Sequence, residues 1–396
     1  MKLISNSELV PRGRYHVGGT VFWDKISALA HSAVTNQEIS WDFNDDLFSA
    51  FDWTKEPDHD LSFYYTERCK RIRDEYEYLV LHYSGGSDSH NILTHFHRAG
   101  LHIDQINVNV PLDYYDKHAP VTASTQSKDL HNEWYHVIKP DLAWIKQHMP
   151  KTKITVYDFT KEMINFDVDQ DWILHAGENC NPNIVSRMKY YDVVDSKIYD
   201  SKRVAHIYGV DKPRVFQHNE QWYFAFLDSV LSICSSYKPA WLKHDHVNVV
   251  NFYWSPDLAP LLIKQAHLLK KFYEYNPQFI KLASFQKLEP WEHELQQNIT
   301  KAVVYPFWRQ EIFQVKKSKN VFFKEFDQWF FDLADTKAKH RWQEGYRYIL
   351  QQVPDNWINK DSNDLPTGIK GIWSKWHQLS PSIVPKTRKF HENYKN

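Results

Sequence analysis

Residues 79–91, Leu-Val-Leu-His-Tyr-Ser-Gly-Gly-Ser-Asp-Ser-His-Asn, pass from a β-rich run into tandem glycine, then hydroxyls and one carboxylate. An apolar-periodic stretch with Ile92, Leu93 and Phe96 follows. The order predicts a buried strand from Tyr78 to Tyr83, a tight turn and a helix. Glycines in such a turn let the backbone close around an anion, because no Cβ blocks the approach. The helix start turns unpaired N–H groups and the positive end of its dipole toward the same spot. Ser84, Ser87 and Ser89 add hydroxyl donors, and Asp88 could hold a magnesium ion against phosphate oxygens. Only 11 of 396 residues are glycine, so Gly85 and Gly86 side by side mark a local backbone demand. Together these features describe a phosphate cradle. The plain alternative is a Ser/Gly turn that caps an ordinary helix.

Two common cradles are excluded by spacing. The nucleoside-triphosphatase loop needs four residues between its glycines and then Gly-Lys-Ser/Thr, which the chain lacks. The dinucleotide fingerprint Gly-x-Gly-x-x-Gly is also absent. Ser84, Gly85, Gly86, Asp88 and Ser89, with Ser87 at the free position, instead resemble the Ser-Gly-Gly-x-Asp-Ser loop of the N-type ATP pyrophosphatases. That family includes asparagine synthetase-like, argininosuccinate synthetase-like and tRNA-modifying enzymes. The resemblance covers residues 75–230. It implies an adenine nucleotide alpha hydrolase-like fold, ATP and Mg2+ as ligands, cleavage between the α and β phosphates, and transfer of AMP to a substrate oxygen.

Outward from the loop the chain alternates strands and helices. Gln105-Ile-Asn-Val-Asn-Val110, Lys153 to Phe159 and Arg203 to Tyr208 read as further strands. Helical stretches fall near Phe22 to Ala33, Leu61 to Glu77, Asn132 to His148 and Asp171 to Tyr199. Arg214 to Leu227 reads as an extended or hairpin segment, and Gly18-Gly19 as a hairpin turn. The alternation predicts an α/β fold with a doubly wound, mainly parallel sheet. From residue 240 the pattern turns helical and aromatic, as in Leu261 to Tyr275 and Phe322 to Ala334. The expected division is an N-terminal segment, 1–75, a domain that by resemblance is an ATP pyrophosphatase domain, 76–238, and a helical C-terminal region, 239–396, that would offer an acceptor or partner site.

Ligands of doubly wound sheets sit beyond the carboxyl ends of the strands. The resemblance implies that the strand backbone at Val108, Asn109 and Val110 reads the adenine. Residues 175–190 offer acceptors and cations in a loop, with a solvated loop as the plain alternative. The fourth strand ends in Tyr208-Gly-Val-Asp-Lys212, placing Gly209, Asp211 and Lys212 where the sheet opens. By resemblance, Lys212 would face the α-phosphate, with Asp211 as the accompanying acid. A cation there stabilises charge moving onto the α-phosphate and the departing pyrophosphate.

Other clusters read as structural. His95 and His97 are two apart on a helix and cannot share a metal. His244-Asp-His246 lacks a third nearby ligand. His90 either touches phosphate or packs on its helix. Asn251-Phe-Tyr-Trp-Ser-Pro256 and Tyr305-Pro-Phe-Trp-Arg309 read as core or interface aromatics, with base stacking as the alternative.

Composition sets the outer bounds. Hydrophobic content is 42%, ample for a core, and no apolar run approaches the ~20 residues of a membrane helix. Cys69, Cys180 and Cys234 share no metal-type spacing, which predicts a reducing, cytoplasmic setting. A formal net charge of −1 gives no global pull toward nucleic acid, although a base-modifying enzyme stays open as an alternative. Met1 is followed by Lys2 with no cysteine near, so the glutaminase nucleophile of some relatives is not expected. The expected activity is adenylation of a carboxylate or carbonyl oxygen with pyrophosphate release, then attack by ammonia or an amine. A phosphoadenylyl sulfate reductase-like enzyme and a non-catalytic nucleotide binder are the remaining alternatives.

Overall fold

The computed structural model describes residues 13–110, 134–158, 194–210, 212–228, 244–284, 288–308, 350–360 and 366–380, with single positions at 112, 160, 286, 340, 344, 347 and 348. Its centre is a five-stranded parallel sheet. The strands are β4 (Tyr78–His82), β5 (Gln105–Val110), β6 (Lys153–Asp158), β7 (Val204–Tyr208) and β10 (Val247–Asn251), in the order β10-β7-β4-β5-β6. This is an α/β architecture. All four of the expected strands fall within a residue of their predicted bounds.

β10 is a departure: the region after residue 240, read as helical, contributes an edge strand that pairs with β7 from Val247↔Val204 to Asn251↔Tyr208. The sheet therefore draws on residues beyond the expected domain boundary at 238. Short runs such as Val-Asn-Val-Val-Asn carry no periodicity that separates strand from loop.

Leu79, Leu81, Ile106, Val108, Ala205 and Ile207 are fully buried on one face of the sheet. The opposite face is polar along its middle. Register pairs Val80 with Gln105 and His206, and His82 with Asn107. Gln105, Asn107 and His206 are fully buried there, although parallel strands usually carry apolar side chains on both faces.

The described helices are α1 (Lys25–Thr35), α2 (Asp45–Ser49), α3 (Leu61–Glu75), α4 (Ser87–Arg98), α5 (Lys139–His148), α6 (Ser196–Ser201), α7 (Ala259–Tyr275) and α8 (Pro290–Val304); α4 packs on β4 and α3 on α4, whereas α1 packs on the N-terminal strands. A π-helical turn, Trp134–Ile138, leads into α5, where a single helix from residue 132 was expected. The expected helical pass from Asp171 lies outside the described residues until α6, and the one from Phe322 to Ala334 lies wholly outside them. No helix among the described residues is long and apolar enough to cross a membrane.

Two small antiparallel sheets and one strand pair complete the fold. β1 (Arg14–Val17) and β2 (Thr20–Phe22) form a hairpin on Gly18 and Gly19, with φ of 52° and 87°, and β3 (Ile39–Asp42) pairs with β1. Positive φ at both turn positions suits the twist of a two-residue hairpin, which is what tandem glycine provides. β8 (Arg214–His218) and β9 (Gln221–Ala225) form the expected second hairpin, joined by β13 (His377–Gln378), while β11 (Ile358–Lys360) pairs with β12 (Pro366–Ile369). Buried Asp228 binds these parts together: its carboxylate accepts from Tyr15 at 3.0 Å and Ile372 N at 2.7 Å, and pairs with Lys25 at 2.9 Å.

Candidate functional site

Strand order places the site. The chain runs from β4 outward to β5 and β6, then returns to β7 on the other side of β4. The order therefore reverses between β4 and β7, and their carboxyl ends flank the crevice where open α/β sheets take ligands.

Residues 84–89 form the rim at the end of β4. Gly85 has φ of +72°, in the region that favours glycine. Hydroxyls preform the turn: Gly86 N donates to Ser84 Oγ at 3.3 Å, Ser84 N donates to Ser89 Oγ at 3.3 Å, and Ser89 Oγ donates to Gly86 O at 3.1 Å. Helix capping differs along the chain, and α2, α5 and α7, like α4, begin without a side-chain cap. α1 and α3 each begin on an aspartate, Asp24 and Asp60, whose side chain accepts from the first turn. α4 begins on Gly86, which brings no side-chain cap. Its first-turn donors are thus left to an incoming acceptor. Ser87 Oγ is buried and has no hydrogen-bond partner among the described residues. An oxyanion would satisfy it.

Asp88 is where distant segments meet. Lys212 Nζ lies 2.8 Å from its Oδ1 and 3.0 Å from its Oδ2. Tyr305 donates its hydroxyl to Oδ1, and Tyr253 donates to the Asp88 carbonyl oxygen at 2.7 Å. Burial, with Asp88 and each other nearby, pushes both phenols well above their usual range, so they remain donors at any physiological pH. Asn91, one turn along α4, donates to Tyr253 Oη at 3.1 Å. Gly209 closes the contact from β7: a Cβ there would lie 3.0 Å from Asp88 Cβ and 3.1 Å from Ser89 N.

The residues nominated from sequence divide as follows. Ser84 to Ser89, Gly209 and Lys212 come together at the carboxyl ends of β4 and β7, and Asp211 lies outside the described residues. β4 pairs with β5 only through Asn107, whereas β6 pairs with β5 as far as Val110. Val108, Asn109 and Val110 therefore run past β4 with one backbone edge toward the loop. Residues 175–190 lie outside the described residues. His90 sits 3.2 Å from Asp141 and 3.1 Å from the Tyr83 hydroxyl, which ties α4 to α5. His95 packs on Tyr65 and His97 on Trp144, so the two point apart as expected. No group of three or more His, Cys, Asp or Glu among the described residues could hold a metal alone. A magnesium ion would use Asp88 together with phosphate oxygens and water, which fits the preference of that ion.

Sequence reasoning did not assign Tyr253 and Tyr305 to the site. It also did not foresee the polar layer beneath. His82 Nε2 and His206 Nδ1 are 2.8 Å apart, the Tyr199 hydroxyl lies 3.1 Å from His206 Nε2, and the Asn107 amide reaches both Asn109 at 3.0 Å and His82 Nδ1 at 3.4 Å. Burial lowers His82 to about 3 and His206 well below its usual range, so the layer is neutral. Polar residues at alternate positions 105, 107 and 109 were the available signal.

Comparisons with known families, with curated proteins and with solved structures each gave no match.

Proposed function

We propose that the chain is an ATP pyrophosphatase that adenylates a carboxylate or carbonyl oxygen, releases pyrophosphate and passes the activated group to ammonia or an amine. One observation carries this reading. Asp88 and Lys212, 124 positions apart and nominated separately, form an ion pair at the sheet's reversal point.

Each chemical task has a residue suited to it. The uncapped start of α4, Gly85, Gly86 and Ser87 Oγ would receive the β,γ-phosphates. Asp88 would share magnesium with those oxygens, and the ion would supply charge neutralisation. Lys212 would balance the negative charge that grows on the α-phosphate and the departing pyrophosphate. The backbone edge at Val108 to Val110 that β4 does not pair would suit a flat base with donors and acceptors on its rim. The rest is positioning, by Tyr253 on the Asp88 carbonyl and by Gly209 pressed on α4.

The test uses ATP labelled at the α-phosphate, with a panel of carboxylic acids and ammonium. AMP and pyrophosphate are the expected products. ADP and phosphate would overturn the reading.

A further inference from the structure

We propose that a cavity between α3, the start of α7 and residues 51–58 binds a free α-amino acid with an apolar side chain. The site is separate from the proposed adenylation centre: its lining shares no residue with residues 84–89, Lys212, Tyr253 or Tyr305.

The cavity encloses about 430 Å³, a size that suits a small organic molecule. Leu258 and Ile263 are buried in its lining, and Phe51 and Phe63 add aromatic surface. Phe63 is 42% exposed, although its ring stacks on His59 at 3.9 Å between centroids. Covering such a ring with an apolar group is favourable, since it removes hydrocarbon from water.

The charges in the lining select the head group. Lys55 and Arg71 stand with Asp52, Asp58 and Glu67, two cations against three carboxylates. Lys55 and Asp52 offset each other at 3.3 Å near the surface. Glu67 and Arg71 occupy positions i and i+4 of α3, where side chains are neighbours, yet they do not pair with each other. Glu67 accepts from Lys70 at 2.8 Å, an exposed pair of little strength. Arg71 donates to the Asp257 carbonyl oxygen at 2.5 Å, a bond that leaves most of its guanidinium fork to a ligand. The wall thus presents a fork for a carboxylate beside an acceptor for an ammonium. A phosphate or a simple acid would meet the surplus of carboxylates, and a simple amine would meet Arg71. A ligand that carries both charges on one carbon satisfies both groups, and its apolar side chain covers Phe63.

Calorimetry on the full chain tests this with L-phenylalanine and L-leucine, beside truncations of the former. Phenethylamine lacks the carboxylate, 3-phenylpropionate the ammonium and glycine the side chain. Both amino acids should bind, and each truncation should bind at least about tenfold more weakly, the usual effect of losing one charged or apolar contact. Glu67→Gln should weaken phenylalanine about tenfold without weakening 3-phenylpropionate, because the ammonium alone uses that carboxylate. Arg71→Gln should weaken phenylalanine without weakening phenethylamine. Arg71 also holds the Asp257 carbonyl, so Glu67→Gln decides where Arg71→Gln fails to fold. No binding of either amino acid at millimolar concentration, equal binding of either charged truncation, or phenylalanine affinity unchanged in Glu67→Gln would overturn the proposal. Affinity lost in Asp88→Asn and kept in Glu67→Gln would place the amino acid at residues 84–89 and overturn it too.

Discussion

Asp88 gathers contacts from residues 212, 253 and 305, so single substitutions there should separate chemistry from folding. Asp88→Ala is expected to lower pyrophosphate release by at least ~100-fold, the usual cost of removing one electrostatic group from a transition state. Thermal unfolding of the same variant should shift down, because buried Lys212 loses this carboxylate, but should stay cooperative. A loss of cooperative unfolding would mean that the carboxylate is structural. Arg68 is the contrasting case. It is fully buried, pairs with Asp257 and donates to Phe252 O at 3.0 Å. Arg68→Met should cost about 3–5 kcal/mol in urea unfolding, since it leaves Asp257 buried without its partner. It should also loosen the segment that carries Tyr253.

At the scale of elements, the junction of β7 with α4 decides the site. Gly209→Ala would place a methyl 3.0 Å from Asp88 Cβ against two fixed backbone segments. Overpacking of that kind typically costs about 1–3 kcal/mol. The expected result is weaker ATP binding by calorimetry together with a lower unfolding midpoint. Much of this junction was legible in the sequence. The Tyr78 to Tyr83 run, the tandem glycine and the periodic apolar residues of α4 each encode a local preference, and local preferences survive without tertiary knowledge. Gly209 and Lys212 were found by a rule about strand ends. Tyr305 was not, because nothing in its own neighbourhood says which carboxylate its hydroxyl will meet. The polar layer escaped for the same reason: His82, Asn107 and His206 lie on three strands, and only the register sets Asn107 beside His82 and His206 on its diagonal. β10 was missed because a five-residue strand leading into an aromatic cluster has no distinctive period.

The whole molecule carries several histidines that burial holds neutral. His82 is lowered to about 3, and His95 and His377 to about 4. Unfolding returns each to its ordinary value near 6.5, so the unfolded chain takes up protons that the folded one refuses. Stability is therefore full above about pH 6.5 and is lost as pH falls toward the folded values. By pH 5 each such histidine should cost roughly 2 kcal/mol. Urea unfolding at pH 7 and pH 5 checks this, and His95→Phe should make the decline shallower. An unchanged slope in that variant would mean His95 is already charged in the fold.

The Tyr305 contact also bears on how the protein is made. The glycine turn is translated well before its wall partners at 212, 253 and 305. Until then the nascent chain has the glycine turn without Lys212 and an α/β sheet without β7 and β10. On the proposed reading, a nucleotide met during synthesis would find only an uncapped helix start, and the site would be complete only once Tyr305 has been added.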